Sequence, residues 1–272
     1  MVATPIGDAD DISLRALKVL QAADRVAAED TRVARELLRS LNIDKPVMSC
    51  WDGNEAQRVP ELLSRLAAGE HIALVSDAGS PLVSDPGFRV VRACVEAGVR
   101  INVVPGACAA IAGLMGAGLP SDRFLFVGFP PHTRSEKLRF LEELGGERGT
   151  LILYESPLRL AETLDLIAGL WPERPVVLAR NLTARFEQWI RGTAAAVRAE
   201  LADETRGQAT LLIGGATGGA AQGWALAESL MTKLLSEGRA PREVRDIVAE
   251  ATGLPKREIY QRILQSSAQR SE

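Results

Sequence analysis

Short runs rich in Val, Ile and Leu alternate with amphipathic stretches along most of this chain, a rhythm that dictates an α/β core. Parallel strands need crossover helices, whereas hairpin strands need only a turn. The pattern predicts strands over residues 25–28, 47–49, 71–76 and 100–104, with helices over 13–22, 32–41, 55–68, 88–97 and 107–117. In the fourth helical segment Phe88, Val91, Cys94 and Val95 fall at helical spacing and Gly98 suits a C-cap. Gly116, Gly118 and Pro120 then break the rhythm, which places a boundary at residues 119–123. A second alternation follows, with strands expected over 124–128, 150–155, 175–180 and 209–213 and helices over 134–144, 157–169 and 193–203. Residues 215–223 read as a flexible Gly-rich linker. Helices are expected beyond it over 224–236, Pro241–Thr252 and 256–265. Val244, Ile247, Val248 and Ala251 share one face and Ile259 and Ile263 another, giving a helix-turn-helix look that suits a packing lid as well as a nucleic-acid reader. The expected domains are 1–120, 121–214 and 215–272.

With 272 residues, 46% of them hydrophobic and 25% charged, the chain can bury real cores. No apolar run reaches the roughly 20 residues of a membrane span, and no basic segment leads into a signal-type stretch, so a cytoplasmic protein is expected. Cys50, Cys94 and Cys108 are scattered and His71 and His132 are the only histidines, so no metal site is expected. A net charge of -3 and a pI of 5.7 argue against nonspecific coating of nucleic acid. Two local basic faces remain open: Arg123 with His132, Arg134, Lys137 and Arg139, and Arg239, Arg242, Arg245, Lys256, Arg257 and Arg262. A solvated face is the ordinary reading of each.

The strand ends carry the chemistry. His71-Ile72-Ala73-Leu74-Val75 runs into Ser76-Asp77-Ala78-Gly79-Ser80-Pro81 and then Ser84-Asp85-Pro86-Gly87. The carboxyl ends of strands in such sheets open onto the ligand crevice, and an acidic residue beside glycine offers backbone N–H groups plus a charged acceptor. The same residues also build ordinary surface turns. Comparable endings occur at Val2-Ala3-Thr4-Pro5-Ile6-Gly7, at Val26-Ala27-Ala28-Glu29-Asp30-Thr31-Arg32, and at Val104-Pro105-Gly106-Ala107-Cys108-Ala109. Tyr154-Glu155-Ser156-Pro157, Arg180 with Leu182-Thr183, and Arg206-Gly207 complete the set. Dinucleotide and P-loop signatures are absent.

In order and spacing these segments resemble the S-adenosylmethionine (SAM)-dependent methyltransferases of tetrapyrrole-methylase fold, and within them the 2′-O-ribose methyltransferases of a decoding-centre cytidine in 16S rRNA. The resemblance spans nearly the whole chain. It implies two α/β domains of tetrapyrrole-methylase type with the cofactor cleft between them, plus a C-terminal helical appendage. It also implies SAM as methyl donor without a metal, 16S rRNA in a small-subunit particle as partner, and a homodimer. By the same resemblance, Pro5, Val75, Ser76, Asp77, Cys108, Ala109, Tyr154 and Ala209 would contact the cofactor. Cys108 and Ala109 read equally as small packing residues, and Tyr154 as a half-buried aromatic.

Methyl transfer from a sulfonium is an in-line displacement in which positioning dominates, and a base helps remove the proton of a ribose hydroxyl. Glu29, Asp30 and Glu155 are the candidate carboxylates, with Arg32 to steady a phosphate or pair with an acid. Glu29-Asp30-Thr31-Arg32 reads equally as a helix start capped by Asp30 or Thr31. The chain departs from the family at Asp8 and Ala9, at Trp51-Asp52-Gly53, and at Leu158, Asn181 and Gln208, mostly on the substrate side. Two rival readings therefore stand: a methylase of a small tetrapyrrole-like molecule, and a noncatalytic ribosome-binding protein of the same fold.

Overall fold

In the computed structural model, residues 1–201, 207–216, 218–252 and 254–269 are described, with side chains left out at 218–223, 225–226 and 265–269. Arg206, the end of the expected helix 193–203, and Gly253 lie outside them. No helix among the described residues is long and apolar enough to cross a membrane. The chain forms two compact units, residues 1–143 with 149–214, and residues 144–148 with 215–272.

The first unit begins with α1 (Leu14–Ala22), β1 (Arg25–Ala28), α2 (Thr31–Ser40), β2 (Val47–Ser49), α3 (Glu55–Ala67), β3 (Ile72–Val75), α4 (Phe88–Glu96) and α5 (Ala109–Ala117). The strands form a parallel sheet in the order β2-β1-β3. It is apolar on both faces, as parallel sheets are. Val26, Ala28, Ala73 and Val75 join Ala16, Leu20, Ala34 and Leu38 on one side, while Ala27 and Leu74 join Met48, Leu62, Val90 and Cys94 on the other. The strand expected over 100–104 shrinks to a single parallel bridge, Val2 with Val104. Pro5 and Pro105 carry no N–H, so neither segment can extend the ladder.

The second sheet uses β4 (Phe124–Gly128), β5 (Thr150–Glu155), β6 (Pro175–Arg180), β7 (Gln188–Thr193) and β8 (Ala209–Ile213), in the order β4-β5-β8-β6-β7. Only β4 and β5 run parallel; the other pairs are antiparallel. Its helices are α6 (Arg134–Glu143), α7 (Pro157–Leu170) and α8 (Ala194–Glu200). Strand β7 escapes the periodicity because Gln188, Arg191 and Gly192 dilute it at a sheet edge paired only to β6. Helix α5 precedes the expected boundary, yet its Ala110, Leu114 and Ala117 pack on Ile152, Val177 and Leu212 of this sheet. Small residues permit the approach: a side chain at Gly116 would run into the Trp189 ring, itself held by an indole N–H donated to Glu187 at 2.8 Å. Gly116→Val is expected to cost about 1–3 kcal/mol by overpacking, measured by denaturant unfolding. An unchanged midpoint would show that α5 is not seated this way.

The second unit contains α9 (Gly218–Ser236), α10 (Pro241–Thr252) and α11 (Lys256–Gln269). The helix starts at Gly218, so most of the expected linker is helical; its Ala220 and Ala221 are strong helix formers. The two expected apolar faces meet in one core, where Val244, Val248, Ile259 and Ile263 are fully buried with Ala227 and Met231.

Candidate functional site

The register of the first sheet sets Ala28 opposite both Ser49 and Val75, so the residues after β1, β2 and β3 emerge at one edge. Glu29 and Asp30, Asp52, and Asp77 with Asp85 gather there, close enough for their charges to interact. Asp77 accepts the backbone N–H of Asp30 at 2.9 Å. Burial, reinforced by Asp77, Asp85, Asp52 and Asp30, pushes the Glu29 carboxyl up to about 7. Burial likewise pushes Asp85 to about 6, with the Ser76 hydroxyl opposing and Asp77 and Asp52 adding. Asp30 goes the other way, to about 2, because Arg32 hydrogen-bonds it through both side chain and backbone. Asp30 is indeed the N-cap of α2, accepting the Arg32 N–H at 2.7 Å.

The N-terminal turn braces this edge. Thr4 and Gly79 exchange backbone hydrogen bonds at 2.8 and 3.1 Å, and the Thr4 and Ser76 hydroxyls point to carbonyls of the same loop. Gly7 lies so close to Leu182 and Ala184 that no side chain fits. Asp8 donates its backbone N–H to Thr183 Oγ1 at 3.0 Å and caps a short 3-10 turn.

Between these loops and the second sheet lies a cavity of about 330 Å³, within the size range of small-molecule sites. It is lined by Ile6, by Ala78, Gly79, Ser80, Val83, Ser84 and Asp85, by Cys108 and Ala109, by Phe129, by 154–157 and by 207–210. Cys108, Ala109, Tyr154, Glu155 and Ala209 therefore meet at its wall, whereas Pro5, Val75, Ser76 and Asp77 stand outside the lining. Asp85 sits in the second half of the turn that begins at Ser76, with nothing in the sequence to set it above Asp77, and Phe129 has no motif around it. Leu82 and Ser84 in this loop hold left-handed φ values of 74° and 66°, conformations costly for residues with a Cβ. A second cavity of about 350 Å³ opens at the amino ends of the first sheet, among Leu62, Leu66, Cys94 and Ile101, away from the carboxylates.

Tyr154 accepts the Ala110 N–H at 3.0 Å, capping the first turn of α5, and burial holds its phenol above the usual range. Glu155 is differently employed. It is 2% exposed, takes an Arg159 ion pair at 2.7 Å, the Thr163 hydroxyl at 2.6 Å and the Ser156 N–H at 2.7 Å, and lies 3.6 Å from the buried ammonium of Lys137. Lys137 thus belongs to the core, not to the basic face expected around 123–139. Asn181 and Gln208 meet each other: the Asn181 N–H bonds the Gln208 carbonyl at 3.0 Å, and Asn181 adopts φ 50°, which Asn tolerates. No group among the described residues could hold a metal ion.

The cavity suits a sulfonium cofactor: a half-buried carboxyl for the cation, Ile6, Val83 and Tyr154 for an apolar ring, and backbone groups at two glycine turns. The sequence profile of the Tetrapyrrole (Corrin/Porphyrin) Methylases matches residues 1–198. The chain is 43% identical over 274 residues to Ribosomal RNA small subunit methyltransferase I of Escherichia coli O157:H7, covering 97% of this chain and 94% of that one. It is 42% identical over 276 residues to the protein of the same name from Synechocystis sp., covering 98% of each. Uroporphyrin-III C-methyl transferase from Thermus thermophilus, solved with S-adenosyl homocysteine, shares the fold at 20% identity and TM-score 0.53, over 78% of this chain and 95% of that one.

Proposed function

This chain belongs to the tetrapyrrole (corrin/porphyrin) methylase family, and we propose that it methylates the ribose 2′-hydroxyl of a decoding-centre cytidine in 16S rRNA, within a small-subunit particle. It is a SAM-dependent methyltransferase. The observation that carries the acceptor is near-full-length identity above 40% to proteins named for small-subunit ribosomal RNA. When bound, SAM supplies an electrophilic methyl whose sulfur leaves as a neutral thioether. Cys108, Ala109, Tyr154 and Ala209 wall its site, Asp85 faces its charge, and Ser76 and Asp77 brace the loops from behind, beside Pro5 and Val75 at the ends of the same segments. Glu29 takes the 2′-hydroxyl proton as the oxygen bonds to the methyl carbon. Arg32, whose side chain is 88% exposed beyond its pair with Asp30, meets a phosphate. Glu155 acts through its ion pairs rather than as the base. Ile111 and Met115, one turn apart on α5 and both exposed, support a homodimer; a cytoplasmic location goes with the ribosomal substrate.

Transfer of labelled methyl to small subunits lacking the modification, with nucleoside mapping, tests the proposal. A 2′-O-methylcytidine is expected; SAM binding without incorporation would reject the ribosomal acceptor and return the small-molecule one.

Asp85 and Glu29 also set a pH dependence. Their raised values, about 6 and 7, mean that acidification protonates them and removes their attraction for a cation. SAM affinity is therefore expected to rise with pH from 5.5 to 8 and level off, with proton release on binding. The neutral product S-adenosylhomocysteine should show a flat profile. Parallel calorimetric profiles for the two would sink this account.

A further inference from the structure

We infer that Phe129 is the platform on which the acceptor nucleobase stacks while its ribose is methylated; the inference rests on the ribosomal RNA reading above. Phe129 lines the cavity and yet is 52% exposed. Exposed apolar side chains are common and ordinarily mean nothing, but this one is built into place. The ladder between β4 and β5 slips between Phe126 and Gly128, and Gly128 takes φ 69°. Such an irregularity re-aims the side chain that follows it. Phe126, half-buried, packs against the core beside Tyr154, at 4.9 Å between ring centroids, while the exposed Phe129 meets the same Tyr154 edge-on at 5.6 Å. Pro130 and Pro131 follow with restricted backbones, and Arg159 donates to both of their carbonyls at 3.3 Å.

The ring also has the right neighbours. A Cβ at Gly128 would stand 3.2 Å from Ser84 Oγ, so the turn carrying Phe129 touches the loop that carries Asp85 at the rim of the cavity. Arg134, its side chain 63% exposed, opens the next helix and offers a cation for the RNA backbone. Recognition of one nucleotide in RNA typically splays its base out of the stack, and aromatic faces hold such bases whatever their identity.

The test compares Phe129→Ala, Phe129→Leu and Phe129→Trp in methyl transfer to unmodified small subunits, with S-adenosylhomocysteine affinity measured separately by calorimetry. Leu keeps apolar bulk without a π face, so it separates stacking from packing. Ala and Leu are expected to raise KM for the subunits roughly 10–100-fold, leaving S-adenosylhomocysteine affinity within about twofold, while Trp stays near wild type. Unchanged KM in Ala and Leu overturns the inference. A parallel loss of S-adenosylhomocysteine affinity also overturns it, assigning the ring to the donor site. A wild-type protein that transfers nothing to subunits defeats the ribosomal reading itself, and this inference with it, whatever the variants do.

Discussion

Glu29→Gln is expected to slow methyl transfer by about 10²–10⁴-fold while SAM affinity at pH 8 falls only severalfold. Gln keeps the shape and loses the ability to take a proton. Three carboxylates are candidates, and their surroundings sort them. Asp30, drawn to about 2 by Arg32, is too weak a base, and the Glu155 oxygens are taken by Arg159, Ser156 and Thr163. Glu29, at about 7, is matched to proton abstraction near neutral pH. The wild-type kcat should rise with pH along a limb at or below 7, since a bound cation favours the ionised carboxyl, and the Gln variant should lack that limb. Stability supplies a control. A carboxyl whose folded-state value lies above its ordinary value of 4.5 adds stability at low pH, and that contribution is lost as pH rises through about 7. Glu29→Gln should therefore melt slightly higher than wild type at pH 8 and no higher at pH 4. A variant within fivefold of wild-type kcat and with the same pH limb would remove Glu29 from the chemistry.

The sheets and most helices were legible because burial on both faces leaves continuous apolar runs such as Ile72-Ala73-Leu74-Val75 and Leu151-Ile152-Leu153. What stayed hidden was decided by tertiary neighbours. Strand β7 exists because β6 offers it an edge, and the bridge at Val104 stops for lack of N–H groups at Pro5 and Pro105. The site was legible as loops at strand ends but not as a wall and a backing. Asp77 accepts the Asp30 N–H, and Asp85, further along the same segment, lines the cavity, a division that no local pattern announces. Whether a carboxylate is a base or a strut depends on what is buried beside it. Nothing local to Glu155, at the end of β5, announces Lys137 from α6.

That strut carries the largest expected stability effect. Lys137→Met is expected to destabilise the fold by about 2–4 kcal/mol, because it removes one of the two cations that compensate a buried carboxylate and not merely a contact. The Lys137 ammonium is wholly buried, 3.0 Å from Glu162 and from the Thr163 hydroxyl and 3.6 Å from Glu155. Removing it leaves the Glu155 carboxylate at 2% exposure with Arg159 as its one remaining cation. The same network fixes the end of β5, where Tyr154 and Ser156 face the cavity, so cofactor affinity should fall together with the unfolding midpoint. Lys137→Met with Glu155→Gln should recover much of the loss, since a neutral amide no longer needs the ammonium. Urea unfolding of the two single variants and the double variant gives the coupling energy directly. Additive losses would mean that Lys137 and Glu155 act independently and that the wall of the cavity is held by packing alone.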